Sequence, residues 1–350
     1  MENERNYGID FLRLVLMYMV CVLHTLGCGG VLNACESGTL AYRVFWFFEI
    51  FSYCAVDGFA LISGYTAIDK PRKFEKLTEM WFQAFFYSFI LTLILTLIGQ
   101  NPDWQIKTFI KCALPITFNI FWYFTAFFVL FFVISVLNRF IFTVDEKQAK
   151  IVFIISIALF SFIELIVGSF QTQNGYSSLW LIVLYFIGAL AKQGKVFEKK
   201  TSFTLVILWL VCIIITWDTQ TFIGSSKLTT YISPTILASG FIMVILFSRI
   251  KLKGTIISKI SPLAFGIYLF QVNPVVWNQF LYNSFSFIPD LPIIFGIINV
   301  LLGASLIFCL GLVIEFFRQI LSKKIGIPSF SKCIVSIIKC LLNKITIFLN

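Results

Sequence analysis

Residues 80–98 read MWFQAFFYSFILTLILTLI, and this stretch decides the fold class. It contains no Asp, Glu, Lys or Arg, and as a helix it is long enough to cross a hydrocarbon core of about 30 Å. Residues 151–167, IVFIISIALFSFIELIV, form a second apolar run, in which Glu164 is the one charged residue. Both runs are apolar on every side, whereas the strands of a membrane β-barrel alternate between polar and apolar residues. The sequence therefore predicts an all-α protein that spans a membrane.

The composition extends this prediction to most of the chain. Hydrophobic residues make up 59% of the 350 residues and charged residues 13%, against about a quarter charged in a soluble domain. We expect about ten transmembrane helices. The apolar runs lie near residues 9–27, 41–68, 80–99, 118–138, 151–168, 178–191, 203–217, 231–248, 263–281 and 291–317.

The basic residues predict how these helices are oriented. Nearly all of the 27 Lys and Arg residues fall at the termini or in alternate connections, such as residues 70–76 and 192–200. Short cytoplasmic loops collect basic residues, so this pattern places both termini in the cytoplasm. Orientation beside anionic lipid also explains the net charge of +10, and we expect no nucleic-acid partner.

The last thirty residues differ from the rest of the chain. Lys332, Ser336, Lys339 and Asn343 recur at spacings of four, three and four, which gives an apolar helix one polar stripe. We expect an amphipathic helix that lies on the cytoplasmic face of the membrane; an eleventh span is the alternative. We therefore divide the chain into a membrane-embedded domain, residues 1–320, and a tail, residues 321–350.

The first apolar run carries ionisable side chains that are costly in a membrane and so are candidates for function. Asp10, Arg13 and His24 lie in YGIDFLRLVLMYMVCVLHTLG, residues 7–27, and His24 is the only histidine of the chain. Eleven residues are about three helical turns, so Arg13 and His24 project from one face about 16 Å apart along the axis. Asp10 shares that face.

This arrangement suits a long anionic ligand that enters from the cytoplasm. Arginine binds phosphate as a planar fork, and an imidazole can act as general base on a hydroxyl. The alternative is structural: Asp10 and Arg13 pair locally, and His24 donates to a neighbouring carbonyl.

The second run offers a further carboxylate, Asp57, within VDGFALISGY, residues 56–65. Either Asp57 orients His24, as carboxylates often orient imidazoles, or it is a packed hydrogen-bonding residue without a chemical role. Gly58, Ser63 and Gly64 predict close packing of this helix on the first one, and Ser63 is able to bond to a neighbouring helix.

A late run is interrupted by polar residues. Gln271, Asn273 and Pro274 break the apolar pattern of residues 263–281, and proline frees a backbone carbonyl inside a helix. We predict that this stretch lines a cavity.

The nine cysteines show no CxxC spacing and have no histidine partners, so no metal site is expected. A disulfide between Cys28 and Cys35 is left open.

Four segments together carry a family resemblance. They are DFLRLVLMYMVCVLH at residues 10–24, VDGFALISGY at 56–65, FWYFTAFFVLFFVISVLN at 121–138 and ISPLAFGIYLFQVNP at 260–274. The chain resembles the acyltransferase-3 family, which includes many bacterial O-acetyltransferases of surface glycans. The family has an arginine and a histidine separated by ten residues, and Arg13 and His24 match this pattern. Relatives often have a histidine where this chain has Gln271.

The resemblance implies an acyl-CoA donor, taken here as acetyl-CoA, bound from the cytoplasm with its phosphates near Arg13, and a catalytic His24. His24 acts as general base or as a relay that carries the acyl group. The acceptor is expected to be a hydroxyl of a carbohydrate or lipid-linked glycan, and the location a bacterial plasma membrane. We assign Asp57 to catalysis. We assign Asp10 and Arg72 to the donor site. We assign the following residues to the substrate cavity: Ser63, Tyr65, Trp122, Tyr123, Tyr268 and Gln271.

Two other functions are considered. A transporter or flippase for a polar or lipid-linked substrate would also need embedded charges and a broken late helix. A structural membrane scaffold leaves the placement of Arg13 and His24 unexplained.

Overall fold

The computed structural model describes residues 5–68, 73–102 and 104–349. Within these ranges every regular element is a helix, and there is no β-strand. The all-α prediction is therefore confirmed.

The longer apolar helices coincide with the predicted runs. The α-helices are α1 (Tyr7–Leu26), α2 (Val31–Ala34), α3 (Leu40–Tyr53), α4 (Ala55–Ala67), α5 (Phe74–Phe85), α6 (Leu91–Leu97), α7 (Ile106–Ala113), α8 (Trp122–Thr143), α9 (Glu146–Ile157), α10 (Glu164–Val167), α11 (Ser178–Gln193), α12 (Ser202–Thr221), α13 (Pro234–Ser248), α14 (Thr255–Ile260), α15 (Ala264–Gln271), α16 (Ile293–Ile325) and α17 (Ile327–Leu349). Short π-helical segments occupy Phe86–Ile90, Ala158–Ile163 and Val276–Leu281.

Seven helical stretches in the described part of the chain are long and apolar enough to cross a membrane. Three shorter apolar helices, Ser178–Gln193, Pro234–Ser248 and Ile256–Gln271, match the remaining predicted runs. The chain is thus a multi-pass membrane protein. The count of ten spans and the cytoplasmic position of both termini stay predictions.

Helix α1 lies at the centre of the bundle. The side chain of Asn6 accepts a hydrogen bond from the backbone N–H of Ile9 at 3.1 Å, which caps the start of the helix. From there α1 contacts α3, α4, α13, α15 and α16. Leu12 and Leu16 are completely buried in these contacts. The helix that carries Arg13 and His24 is therefore held by neighbours over most of its length.

Glycines let α4 pack closely on α1, as predicted, and also on α11, which was not predicted. A side chain added at Gly58 would meet Leu16 of α1, as expected. Gly64 instead faces α11, where a Cβ would overlap the backbone carbonyl of Tyr185. Gly188 of α11 faces Leu61 of α4 in the same way. The two helices are thus packed backbone to backbone through small residues.

We expect Gly64→Ala to destabilise the protein by about 1–3 kcal/mol, because the added methyl group forces α4 and α11 apart. Thermal unfolding of the detergent-solubilised protein measures this. Gly240→Ala is the comparison variant: a Cβ there lies 3.2 Å from the backbone oxygen of Cys54, a tight contact but not the overlap found at Gly64, so a smaller loss is expected. An equal loss for both variants would contradict this account of the interface.

The C-terminal region forms two helices. The 33-residue helix α16 ends at Gly326, whose φ of +81° turns the chain into α17. Helix α17 packs along α5, with the rings of Phe82 and Phe330 5.7 Å apart and Lys339 3.7 Å from Glu75. Gly326 thus separates the two helices, and the division of the chain into residues 1–320 and 321–350 stays a prediction. The position of α17 on the cytoplasmic face stays a prediction.

All nine cysteines carry free thiols. The disulfide between Cys28 and Cys35 is therefore not formed in the structure.

Candidate functional site

A cavity of about 900 Å³ lies beside α1. This volume is typical of a site for a small molecule or cofactor. Helix α1 contributes Arg13, Met17, Val20 and His24, which follow one another at spacings of four, three and four and so form one face. The structure thus places the guanidinium and the imidazole on the same wall.

Arg13 lies at the end of the cavity where α1 begins. Its Nη1 donates to Oδ1 of Asp10 at 2.6 Å, and Asp10 also accepts from Arg5 at 2.5 Å. Asp10 is 4% exposed and does not line the cavity, so it bridges two arginines rather than facing a ligand. Lys76, in the first turn of α5, and Ser261, between α14 and α15, also line the cavity. We call the end of the cavity at Arg13 the Arg13 end.

His24 lies in the last turn of α1. Its ring meets that of Trp277 edge to face, with the centroids 4.9 Å apart, and its Nδ1 has no hydrogen-bond partner among the described residues. Nδ1 therefore does not make the bond to a neighbouring carbonyl that the structural alternative predicts, and the side chain of Gln271 lies close enough to interact with the ring. The imidazole is therefore positioned by packing and faces a cavity.

The helix that follows Ala264 is broken next to His24. Helix α15 ends at Gln271, and the chain passes through Val272 and Asn273 into the π-helical segment Val276–Leu281. Asn273 donates to the carbonyl of Tyr87 at 2.7 Å and accepts from the N–H groups of Val275 and Val276. The interruption predicted from sequence is present, and Val272 and Trp277 line the cavity.

Gln271 itself lies behind the cavity wall. It is fully buried, its Nε2 is 3.7 Å from Sδ of Met17, and its side chain interacts with both Cys21 and His24. Its position is thus one that supports His24 rather than one that contacts a ligand.

Asp57 is fully buried and bonded elsewhere than to His24. Its Oδ1 accepts from the indole N–H of Trp180 at 3.0 Å, and Oδ2 has no hydrogen-bond partner within the described ranges. Of the two interpretations of Asp57, the geometry therefore favours the packed hydrogen-bonding residue, and it gives no support to orientation of the imidazole.

The remaining predicted residues divide into two groups. Trp122, Tyr123 and Tyr268 line the cavity, and the backbone N–H of Tyr123 donates to the hydroxyl of Tyr268 at 3.3 Å. Ser63 and Tyr65 do not line it. The Ser63 hydroxyl donates to the carbonyl of Phe59 in its own helix, and Tyr65 lies under Lys192 beside a smaller pocket of about 250 Å³. Arg72 lies outside the described residues.

Several cavity residues were not predicted. Glu49 and Tyr53 come from α3, Tyr176 and Tyr231 from the segments before α11 and α13, and Trp277 from the π-helical segment. The spacing of Glu49 and Tyr53 by four residues is a signal that they share a helix face. The two loop tyrosines have no such local signal.

The fold and the cavity together define a helical membrane protein with a site inside the bundle. The model of the acyltransferase-3 family, described as an acyltransferase domain, matches residues 6–316. Because the match covers most of the 350 residues, the chain belongs to the acyltransferase-3 family. No curated protein and no solved structure matches the chain.

Proposed function

We propose that this membrane acyltransferase moves an acyl group, in the first place acetyl, from acyl-CoA to a hydroxyl of a cell-envelope or exported glycan in a bacterial plasma membrane. The observation that carries the proposal is that Arg13 and His24 line one cavity. Family membership supports the acyl transfer. The chemistry of the two side chains supports acyl-CoA as the donor, Arg13 as the residue that binds its phosphates and His24 as the catalytic residue.

The donor would enter at the Arg13 end. Acyl-CoA carries several phosphate charges at one end of a long molecule, and its thioester lies at the other end. Arg13 and Lys76 offer positive charge for the phosphates. The separation of about 16 Å along α1 then leaves room for the flexible arm to bring the thioester towards His24.

In the direct mechanism, His24 takes the proton of the acceptor hydroxyl while the oxygen attacks the thioester carbonyl carbon. An ester bond forms, the carbon–sulfur bond breaks, and the thiolate leaves with the proton that His24 returns. In the relay mechanism, an imidazole nitrogen is acylated first and the hydroxyl attacks the acyl-imidazole. Both mechanisms release free CoA thiol.

The experiment that tests the proposal follows thiol release from acetyl-CoA by the purified protein in detergent, with and without a mixed glycan hydrolysate. We expect release that depends on the acceptor. The absence of both release and CoA binding would refute the proposal and favour a transporter for a polar or lipid-linked substrate.

We expect Arg13→Ala to raise the KM for acetyl-CoA about 10- to 100-fold with little change in kcat, because a charged hydrogen bond to phosphate is worth about 1.5–3 kcal/mol. Arg13→Lys keeps the charge but loses the planar fork, so its KM for acetyl-CoA should lie between those of the wild type and Arg13→Ala. Steady-state kinetics of thiol release measures both variants.

Arg139→Ala is the matched control for this charge, since Arg139 is exposed and does not line the cavity. Equal effects of Arg13→Ala and Arg139→Ala would show that general surface charge, rather than the cavity arginine, binds the donor.

A further inference from the structure

A buried carboxylate in the cavity has one oxygen without a hydrogen-bond partner. Glu49 is 8% exposed and lines the cavity, and its Oε2 makes no hydrogen bond to any residue that the structure describes. Among the cavity-lining residues of the described chain it is the one Asp or Glu. Burying a polar group without a partner costs free energy, so such a group in a cavity wall points to a ligand that completes it.

Aromatic rings surround the same part of the cavity. Tyr231 lies with its ring centroid 4.8 Å from that of Tyr53 and 5.0 Å from that of Tyr176, and Trp122 lies 4.9 Å from Tyr176. All four rings line the cavity. Glu49 precedes Tyr53 by one helical turn and interacts electrostatically with both Tyr53 and Tyr231. We call these five residues the aromatic–carboxylate cluster.

The backbone is adapted to this cluster at Gly175. Its φ is +100°, in the left-handed region that favours glycine, and a Cβ there would overlap the side chain of Tyr231. The segment before α11 therefore brings Tyr176 onto Tyr231 only because residue 175 has no side chain.

A carboxylate next to several aromatic rings is suited to a cation. The faces of aromatic rings attract an ammonium group, and a buried carboxylate becomes favourable when a hydrogen-bonding cation pairs with it. A neutral hydroxyl would satisfy one oxygen but would gain nothing from the ring quadrupoles. The positive side chains that line the cavity, Arg13 and Lys76, lie on α1 and α5, and neither helix contributes to the cluster.

We propose that the aromatic–carboxylate cluster binds a protonated amino group of the acyl acceptor, so that the substrate class is an amine-bearing sugar or a similar amino alcohol. The inference deepens the proposed function and rests on it, because the bound molecule is an acceptor only if the protein transfers an acyl group. The amine is held by the cluster, and a hydroxyl of the same molecule is the group that is acylated.

The first experiment tests the cation site without any transfer. Tetramethylammonium chloride is titrated into the detergent-solubilised protein while the thermal unfolding midpoint is followed, with sodium chloride and tert-butanol as salt and shape controls. We expect tetramethylammonium to stabilise the wild type, and Glu49→Gln to weaken its apparent affinity by at least about tenfold. Glu36→Gln, an exposed carboxylate outside the cavity, should behave as the wild type. Identical titrations of wild type and Glu49→Gln would overturn the proposal.

The second experiment links the site to the acceptor. Thiol release from acetyl-CoA is measured with glucosamine and with glucose. Glu49→Gln should raise the KM for glucosamine at least about tenfold more than it raises the KM for glucose. Equal changes for the two sugars would overturn the inference. Binding of tetramethylammonium without thiol release from any acceptor would refute the proposed acyl transfer and keep the cation site.

Discussion

Replacing His24 with alanine should lower kcat for acyl transfer by about a thousandfold or more. A positioned general base contributes about 10²- to 10⁴-fold, and loss of an acylated nucleophile removes the reaction altogether. His24 is the single histidine of the chain, so no other imidazole replaces it. Thiol release from acetyl-CoA in the presence of acceptor measures the effect.

The His24 variant must be shown to be folded. The ring contacts Trp277, but its Nδ1 makes no hydrogen bond to a residue that the structure describes, so removal of the ring should change the thermal unfolding midpoint little. His24→Gln, which keeps polar atoms without the basic nitrogen, should be as inactive as His24→Ala. Full activity of either variant would rule out both mechanisms proposed for His24.

Wild-type protein also separates the two mechanisms. The protein is mixed with acetyl-CoA that is radiolabelled in its acetyl group, and no acceptor is added. The relay mechanism then predicts a burst of about one CoA thiol released per protein molecule, and radiolabel bound to the protein. Direct attack predicts neither. In both cases the His24 variants should show no burst.

The second large effect concerns stability. Glu315 of α16 is completely buried, and it accepts from Arg318 at 2.7 Å and 2.8 Å and from the Tyr87 hydroxyl at 3.0 Å. A spacing of three residues puts the two side chains on one helix face, but it does not show that they are buried. We expect Arg318→Ala to destabilise the protein by about 3–5 kcal/mol, because it leaves a buried charge without its cation. Thermal unfolding in detergent measures the loss.

A double variant tests the cause of this loss. Glu315→Gln with Arg318→Ala removes the stranded charge, so it should be more stable than Arg318→Ala alone. The exposed pair of Glu146 and Lys150, 2.8 Å apart, is the matched control, and Lys150→Ala should change stability little. If the double variant were no more stable than Arg318→Ala, the charge would not be the cause.

Local features of the chain were predicted well. The apolar runs are properties of short windows, and the shared face of Arg13 and His24 follows from helical geometry alone. The break after Gln271 was also visible, because proline and asparagine interrupt a helix wherever it lies. Each of these inferences needs only neighbouring residues.

Contacts between distant segments were not predictable in this way. The partner of Asp57 is Trp180, 123 residues further along the chain, and the partner of Gly64 is α11 rather than α1. The Ser63 hydroxyl bonds to a carbonyl of its own helix, as serine hydroxyls often do, and sequence spacing does not show whether such a hydroxyl bonds within its helix or to a neighbouring one. The aromatic–carboxylate cluster comes from four separate parts of the chain, so Glu49 remained without a role until the fold brought the rings together.

The length of α16 ties the protein to the thickness of its bilayer. Thirty-three residues make a helix of about 50 Å, whereas the hydrocarbon layer is about 30 Å thick. The helix must tilt, or extend beyond the acyl chains, and the balance between these depends on lipid length. Its far end turns at Gly326 into α17, which packs on α5, the helix that contributes Lys76 to the cavity. We therefore expect a change in bilayer thickness that alters the tilt of α16 to reach α5, and with it Lys76, through α17.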